Sequence, residues 1–258
     1  MTAPAAGRVS AVIATRDSAE RLECALSGLA RTAWPDLEVI VVDNGSSCRR
    51  TLDVLARSGA TVIARDVEFN HSRLMNAGAA AATGEFLLLL NDDIEVLDPS
   101  WVARLVRAAS RPRVGPVGAL LLYPDGTIQH CGVAVRDGAP WHPHAGARLD
   151  AAGREWVGGV ARRWAVTGAC MLVRTVLFHE LGGMDPLLRT GYNDIDLCLR
   201  ARRRGHETVL HAGVRLIHHE SATRGTDATP ATAADWLMFR TRWAEELGLS
   251  GPVAATAA

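Results

Sequence analysis

The sequence lacks the features that would assign it to several common classes of protein. Its 258 residues carry 28 Lys and Arg against 28 Asp and Glu, so no net charge draws it to nucleic acid or anionic lipid. The five cysteines are scattered, without a C-x-x-C pair or a Cys/His cluster at zinc spacing, as is typical of reduced cytosolic thiols. Apolar runs are far shorter than the roughly 20 residues of a membrane span, and the first residues lack the apolar core of a signal peptide. We therefore expect a cytoplasmic protein, for which docking on the inner face of a membrane stays open.

Two nucleotide-binding motifs are also absent. The first strand pattern leads into Thr15-Arg16-Asp17-Ser18 instead of G-x-G-x-x-G, and the sequence contains no G-x-x-x-x-G-K-[ST] loop. Neither ordinary NAD chemistry nor P-loop phosphoryl transfer is therefore supported. A divalent cation that bridges phosphates could do the work of the missing glycines.

Strand and helix patterns alternate through the first hundred residues. Strand patterns at 9–14, 37–42, 61–64 and 86–90 are separated by helical patterns at 18–32, 49–57 and 72–82. This βαβαβαβ order predicts an α/β fold with a mainly parallel, doubly wound sheet. The length favours one sizeable domain with a tail over two small domains.

A pair of carboxylates, Asp92-Asp93, follows the strand pattern at 86–90. A run of five apolar residues predicts a strand buried on both faces, so the pair should emerge at the carboxyl edge of the sheet, where ligands bind. Adjacent carboxylates repel each other unless a cation or donors offset their charge, which indicates a metal or nucleotide site. The alternative is that Asp92 or Asp98 caps the helix predicted to begin near Trp101.

Asp43 ends the second strand pattern, so it should lie at the same edge as Asp92-Asp93. Its carboxylate could accept hydrogen bonds from ribose hydroxyls or from a base N–H. The alternative is a local turn in which Asp43 binds the backbone of Gly45 or Ser46.

A second acidic cluster, Asn193-Asp194-Ile195-Asp196, begins the helix predicted over 194–204. Capping of that helix is one explanation, because carboxylates in a first turn gain from the macrodipole. Asp194 and Asp196 lie about 200° apart around a helix, so they cannot serve one role. We expect Asp194 to face a cleft and Asp196 to face packing or adjoining backbone.

A third cluster, His218-His219-Glu220-Ser221, ends a short strand pattern. Adjacent strand residues point to opposite sides, so only one of the two histidines can face the cleft. For each histidine alone, the alternative is a structural residue with satisfied hydrogen bonds.

Taken in order, these motifs resemble the inverting glycosyltransferases of family 2, which have the GT-A fold, and among them bacterial members that build rhamnose-rich, O-antigen or other cell-surface glycans. The resemblance covers about residues 9–225. The motifs that carry it are Val12-Ile13-Ala14-Thr15 with Arg16-Asp17; Val41-Val42-Asp43-Asn44-Gly45-Ser46; Phe69-Asn70-His71-Ser72 through Asn76; Gly84 to Leu90 with Asn91-Asp92-Asp93; Val117-Gly118-Ala119; Tyr123-Pro124-Asp125-Gly126 through Gln129-His130; Val166-Thr167-Gly168-Ala169-Cys170; Gly182-Gly183-Met184-Asp185; Asn193-Asp194-Ile195-Asp196-Leu197-Cys198; and His218-His219-Glu220-Ser221 through Gly225.

The resemblance implies metal-dependent transfer of a sugar from a nucleotide-diphosphate donor to a hydroxyl of a glycan, lipid-linked or other small acceptor. Asp194 would be the catalytic base, and Asp93 and His218 would bind Mg²⁺ or Mn²⁺. The nucleotide contacts that it implies are Thr15, Arg16, Asp43, Asn76 and Asp92. Two alternatives stay open: a non-catalytic nucleotide-sugar or glycan-binding subunit, and a sugar-1-phosphate nucleotidyltransferase, although no Gly-rich basic phosphate loop is visible for the latter.

The predicted GT-A domain covers residues 1–226, with a nucleotide-binding half over about 8–110 and a small mixed acceptor-side half over about 111–226. A C-terminal helix and a disordered tail are expected over 227–258. The stretch 137–163 has poor periodicity and is long enough to be a functional loop. Its Trp141, His142, His144 and Trp156 are candidates for acceptor binding, since aromatic faces stack on sugars; otherwise they pin the loop to the domain.

Overall fold

A ten-stranded mixed sheet forms the centre of the computed structural model, which describes residues 7–149, 159–219 and 230–249. The strands are β1 (Val9–Thr15), β2 (Leu37–Asp43), β3 (Thr61–Ala64), β4 (Phe86–Asn91), β5 (Ile94–Val96), β6 (Val114–Leu122), β7 (Ile128–His130), β8 (Ala134–Arg136), β9 (Ala139–Trp141), β10 (Val160–Arg163), β11 (Cys170–Arg174) and β12 (Glu207–His218). The helices are α1 (Ala19–Ala30), α2 (Arg49–Arg57), α3 (His71–Ala81), α4 (Trp101–Ala109), α5 (Thr175–Glu180), α6 (Asn193–Arg203) and α7 (Pro230–Arg242).

The main path of the sheet is β10-β12-β6-β11-β4-β1-β2-β3, with β5 paired to β12 and β7 to β6. Strands β3, β2, β1 and β4 run parallel, as the alternating pattern predicts. Strand β11 is antiparallel to both β4 and β6, and β12 runs parallel to β6. The α/β fold with a mainly parallel first half and a mixed second half is thereby confirmed.

Strand β4 is buried on both faces, as its unbroken apolar run predicts. Phe86, Leu88 and Leu90 pack in one core with residues of α1, α2 and α4, while Leu87 and Leu89 pack in the other with residues of α3, α5, α6 and α7. Because helices cover both faces of β4, residues of this segment reach the surface at the ends of the strand and not along it. The site therefore lies at its carboxyl end.

Parts of the second half differ from the sequence prediction. The two short strands expected at 209–211 and 214–218 form one strand, β12, whose register with β6 shifts between His211 and Arg215. The stretch predicted to be irregular includes β9, which pairs with β8, and the edge strand β10. The C-terminal helix begins earlier than predicted, at Pro230, because proline fits the first turn of a helix. Among the described residues, no helix combines the length and the apolar composition needed to cross a bilayer.

Candidate active site

A cleft opens where the parallel strands β1 and β4 end. The sequence-predicted residues Thr15, Arg16, Asp92, Asp93 and His218 all line it. They come from the end of β1 and the turn after it, from the turn after β4, and from the end of β12. The topology thus brings together side chains that are up to about two hundred residues apart in the chain.

Asp93 and His218 face each other in this cleft. The distance from Asp93 Oδ1 to His218 Nε2 is 3.0 Å, and only 12% and 8% of the two side chains are exposed. Burial raises the pKa of Asp93, but the neighbouring His218 and Arg21 lower it more strongly, and the net pKa lies below the usual value. Asp93 is therefore held as a carboxylate despite its burial.

Gln129 sets the tautomer of His218. Its Oε1 lies 2.6 Å from His218 Nδ1, and because an amide oxygen only accepts, Nδ1 must carry a hydrogen. When the ring is neutral, Nε2 keeps a lone pair, to which Asn91 Nδ2, 3.2 Å away, can donate. When the ring is protonated, Nε2–H can instead donate to Asp93 Oδ1, 3.0 Å away. Beside a neutral ring, the buried Asp93 Oδ1 has no hydrogen-bond donor, and two acceptor atoms face each other in the cleft.

This pair fits a divalent cation. Octahedral Mg²⁺ holds its ligands at about 2.1 Å, so neighbouring ligand atoms lie about 3.0 Å apart, and sites of this kind use one or two carboxylates with substrate phosphates. The observed separation between Asp93 Oδ1 and His218 Nε2 is 3.0 Å. Within residues 7–149, 159–219 and 230–249, however, no group of three or more His, Cys, Asp or Glu forms a complete metal cage. Such a cation would need further ligands from water or a diphosphate.

Asp92 has a separate environment. Its Oδ2 accepts a hydrogen bond of 2.8 Å from Thr15 Oγ1. Burial raises the pKa of Asp92, and the like charge of Asp93 raises it further, against the opposing contacts of Thr15, Ser18 and Arg21. Neither Asp92 nor Asp98 is the N-cap of α4, which is Ser100 without a side-chain cap hydrogen bond; Asp98 accepts from the backbone N–H of Ser100 in the turn before the helix.

Asp43 forms the local turn that the sequence left open. Its Oδ1 accepts from both the backbone N–H and the hydroxyl of Ser46, at 3.1 and 2.5 Å. The next residue, Asn44, lines the cleft instead. The Asn44 amide nitrogen donates to the carbonyls of Arg65 and Val67, while its Oδ1 is buried without a partner among the described residues.

Asp194 lies at the border of the cleft, in the first turn of α6. Its Oδ2 accepts from the backbone N–H of Gly168 at 2.8 Å, and the residues on either side of Gly168, Thr167 and Ala169, line the cleft. Asp196 points the other way and is fully buried, with Arg200, Arg242 and the indole N–H of Trp243 as partners at 2.7 to 2.9 Å. The prediction that Asp196 faces packing is confirmed.

Asn76 stands apart from the cleft-lining residues. Its Nδ2 donates to the Met184 carbonyl at 2.7 Å, and its Oδ1 accepts from the Met184 N–H at 2.9 Å. Both ends of the amide thus tie α3 to the turn that follows Gly183. This contact accounts for the position of Asn76 without a nucleotide.

Of the residues predicted to bind an acceptor, the three that the structure describes, Trp141, His142 and His144, do not line the cleft. The Arg136 guanidinium lies 4.0 Å from the ring centroid of Trp141, and His144 is exposed on the turn after β9. His142 Nδ1 lies 2.9 Å from His130 Nδ1, and His130 Nε2 accepts from the N–H of Thr167 at 3.3 Å, which links this segment to the cleft. Burial holds the pKa of His130 well below its usual value. Trp156 lies outside the described residues.

Several cleft residues were missed by the sequence interpretation. These are Arg21, Asn44, Phe69, His71, Asn91, Thr167 and Ala169. Most of them belong to the motifs that carried the family resemblance, which was the available signal. Arg21 lies in the amphipathic pattern of α1, where a positively charged side chain indicates an exposed surface position. No local pattern therefore identified it as a cleft residue.

The chain is similar in sequence to a family of glycosyltransferases and to proteins of glycan synthesis. Residues 10–130 match the sequence model of the family described as Glycosyl transferase family 2. The O-antigen biosynthesis protein RfbC of Myxococcus xanthus is 39% identical over 243 residues, covering 90% of this chain and 19% of that protein. The N-acetylglucosaminyl-diphospho-decaprenol L-rhamnosyltransferase of Mycobacterium tuberculosis is 25% identical over 252 residues, covering 86% of this chain and 80% of that protein. The chain spans about a quarter or less of the length of the curated relatives with 39% identity.

The fold also matches a solved structure. The crystal structure of GalNAc-T7 with UDP, GalNAc and Mn²⁺ aligns with a TM-score of 0.74 at 17% identity, over 94% of this chain and 50% of that chain. At that identity the likeness concerns the fold. The matched segment and the relatives together support a glycosyltransferase of family 2, and the structural likeness is to the GT-A fold.

Proposed function

We propose that this chain transfers a sugar from a nucleotide-diphosphate donor to a hydroxyl group of a glycan, lipid-linked or other small acceptor, with inversion at the anomeric carbon. The observation that carries the proposal is the buried Asp93 Oδ1, which lacks a donor and faces His218 Nε2 at 3.0 Å. A site of two ligands suits a cation whose other ligands are water and a diphosphate. The relatives support a role in the synthesis of cell-surface polysaccharide.

Asp93 and His218 are the residues that would hold Mg²⁺ or Mn²⁺. The bound cation would offset the charge that develops on the departing diphosphate. Asp92, oriented by the Thr15 hydroxyl, would accept hydrogen bonds from the ribose, with Asp43 near the base. Arg16 lines the same cleft and supplies positive charge for the nucleotide.

Asp194 is the proposed base. It would remove the proton of the acceptor hydroxyl as that oxygen attacks the anomeric carbon from the face opposite the leaving nucleotide. The N–H of Gly168 holds one carboxylate oxygen of Asp194 at 2.8 Å and so fixes its orientation beside the cleft. A single displacement of this kind inverts the configuration of the sugar. We place the reaction in the cytoplasm or at the inner face of a membrane.

The first experiment identifies the donor and the reaction. A thermal-shift screen of nucleoside diphosphates, with and without Mn²⁺, should raise the melting temperature only when nucleotide and cation are both present, since ligands stabilise the state that they bind. Incubation with the matching sugar donor should then release nucleoside diphosphate. Release of pyrophosphate would instead indicate nucleotidyl transfer, and binding without release would indicate a non-catalytic subunit.

The second experiment tests the base. Asp194→Asn should lower kcat by about 10²- to 10⁴-fold, the usual contribution of a positioned base, and leave donor affinity nearly unchanged. Glu180→Gln, at an exposed position at the end of α5, is the matched control and should keep wild-type turnover. Near-normal turnover by Asp194→Asn would remove Asp194 from this role.

A further inference from the structure

The segment just before α6 is bound to a single carboxylate in the C-terminal helix. Asp235, in α7, is 1% exposed. Its Oδ1 accepts from the Arg189 N–H at 3.0 Å, and its Oδ2 accepts from the N–H groups of Thr190 and Gly191 at 2.7 and 2.9 Å and from the Thr190 hydroxyl at 2.9 Å. Successive N–H groups that point at one anion form a nest, and here the anion is a side chain of the protein itself.

The same segment borders the cleft. The Arg189 carbonyl accepts from the His71 N–H at 2.8 Å, and the Arg189 guanidinium donates to the Phe69 carbonyl at 3.2 Å. Phe69 and His71 both line the cleft. A shift of residues 189–191 would therefore displace Phe69 and His71 in the cleft as well as the start of α6.

Tyr192, the next residue, has an unusual backbone conformation. Its φ is 61°, in the left-handed region that a bulky side chain rarely adopts, and α6 begins there without a side-chain cap. Its ring stacks on Phe239 at 5.1 Å between centroids and lies 5.4 Å from Trp236, so α7 holds it from a second side. Burial raises the pKa of Tyr192, and the nearby carboxylates of Asp235 and Asp194 raise it further.

Helix α7 and the residues that follow it also hold α6 beyond Asp194. Arg242 donates to Asp196 at 2.9 Å and pairs with Asp185 at 2.6 Å, and the Trp243 indole donates to Asp196 at 2.9 Å. In the chain, Asp194 thus lies between two regions, 189–192 and 196, that are each bound to the C-terminal helix region. The bonds of its own carboxylate are to Gly168 and Ile195.

We propose that Asp235 is a positioning residue for Asp194: by binding three successive N–H groups, it fixes the start of α6 and thereby the place of the base beside the cleft. The proposal rests on the assignment of Asp194 as the base. A catalytic group must be held within a fraction of an ångström of its productive position, and a misplacement of about 1 Å can cost on the order of 100-fold in rate. The C-terminal helix is then part of the catalytic apparatus.

Asp235→Asn tests the proposal, because it keeps the size of the side chain but removes its charge and one of its two acceptor oxygens. We expect kcat to fall on the order of 10- to 100-fold, with the donor KM and the affinity for nucleotide and Mn²⁺ within about twofold of wild type. In the absence of any ligand, hydrogen exchange of a peptide over 189–196 should become at least about tenfold faster, with the rest of the chain unchanged. Glu245→Gln, an exposed carboxylate just after α7, is the control and should change neither measurement.

Thr190→Val is the second variant in case Asp235→Asn does not fold. It removes one donor to the Asp235 carboxylate and keeps the three N–H donors, so kcat should fall by about 2- to 10-fold, less than in Asp235→Asn. Wild-type kcat in a folded Asp235→Asn protein would overturn the proposal. So would a parallel loss of kcat, nucleotide affinity and folded fraction, which indicates a merely structural role. If the wild type released no nucleoside diphosphate, the proposed function would fail. Unchanged hydrogen exchange over 189–196 in Asp235→Asn would then independently overturn the claim that Asp235 fixes the start of α6.

Discussion

The contact between Gln129 and His218 allows a quantitative prediction about cation binding. Gln129 is 6% exposed, and its Oε1 holds the His218 Nδ1–H at 2.6 Å. Gln129→Met keeps the length of the side chain and its packing but removes the acceptor. The variant therefore alters the tautomer of His218 while leaving both proposed cation ligands in place.

The size of the effect follows from the buried proton. A buried donor that loses its partner costs about 1 to 3 kcal/mol. His218 can avoid that cost by carrying its proton on Nε2 instead, where Asp93 Oδ1 lies 3.0 Å away and can accept it. Binding a cation at Nε2 then requires moving the proton back to Nδ1. Cation affinity should accordingly fall by the same free energy, which corresponds to about 5- to 150-fold.

The assay is a titration of the protein with Mn²⁺, in which binding is measured by electron paramagnetic resonance of the free ion or by calorimetry. Gln129→Glu is the matched control, because it keeps an acceptor for Nδ1–H and should bind Mn²⁺ at least as tightly as wild type. The circular dichroism spectrum and the melting temperature check that each variant is folded. A folded Gln129→Met protein with a Mn²⁺ affinity within twofold of wild type would refute the tautomer argument.

Two further predictions concern side chains away from the reacting atoms. Asp196→Ala should lower the free energy of unfolding by about 3 kcal/mol, since it strips a fully buried carboxylate from two arginines and an indole; urea denaturation measures this, and a loss below about 1 kcal/mol would contradict it. Iodoacetamide should modify Cys48 well before Cys131, because backbone N–H groups in the first turn of α2 lower the pKa of Cys48 whereas burial raises that of Cys131 to about 11. Equal rates of labelling in mass spectra would count against that difference.

The first half of the fold could be predicted from the sequence because its signals are local. An unbroken apolar run predicted β4, and the helical spacing between strand patterns predicted α1, α2 and α3. Strand β10 could not be predicted in the same way. Its sequence, Val160–Arg163, carries two arginines, and it becomes a strand by pairing with β12, some fifty residues away. Long-range pairing of this kind leaves little local pattern.

The residues of the candidate site show the same difference between local and long-range signals. Asp92 and Asp93 could be placed at the edge of the sheet, because a strand end fixes where they emerge. Gln129 could not be assigned its role, since it contacts His218 across 89 positions of the chain. Asn76 shows the converse, because a motif residue expected near the nucleotide has both polar atoms engaged by the backbone of Met184. Sequence patterns locate a residue on an element, but hydrogen-bond partners depend on how the elements pack.

The carboxylates near this edge differ chiefly in how completely the protein satisfies them. Both oxygens of Asp196 are engaged by two arginines and an indole, and both oxygens of Asp235 by three N–H groups and a hydroxyl. An acid that is fully satisfied within the fold has little left for a ligand, because each new contact must replace an existing one. Asp93 is the exception, with a buried oxygen that has no donor and a neighbouring imidazole lone pair. An unsatisfied buried oxygen costs the protein free energy, so among these acids Asp93 gains most from a bound cation. This difference in hydrogen bonding argues for a binding site at the end of β4 more strongly than the presence of two adjacent acids in the sequence does.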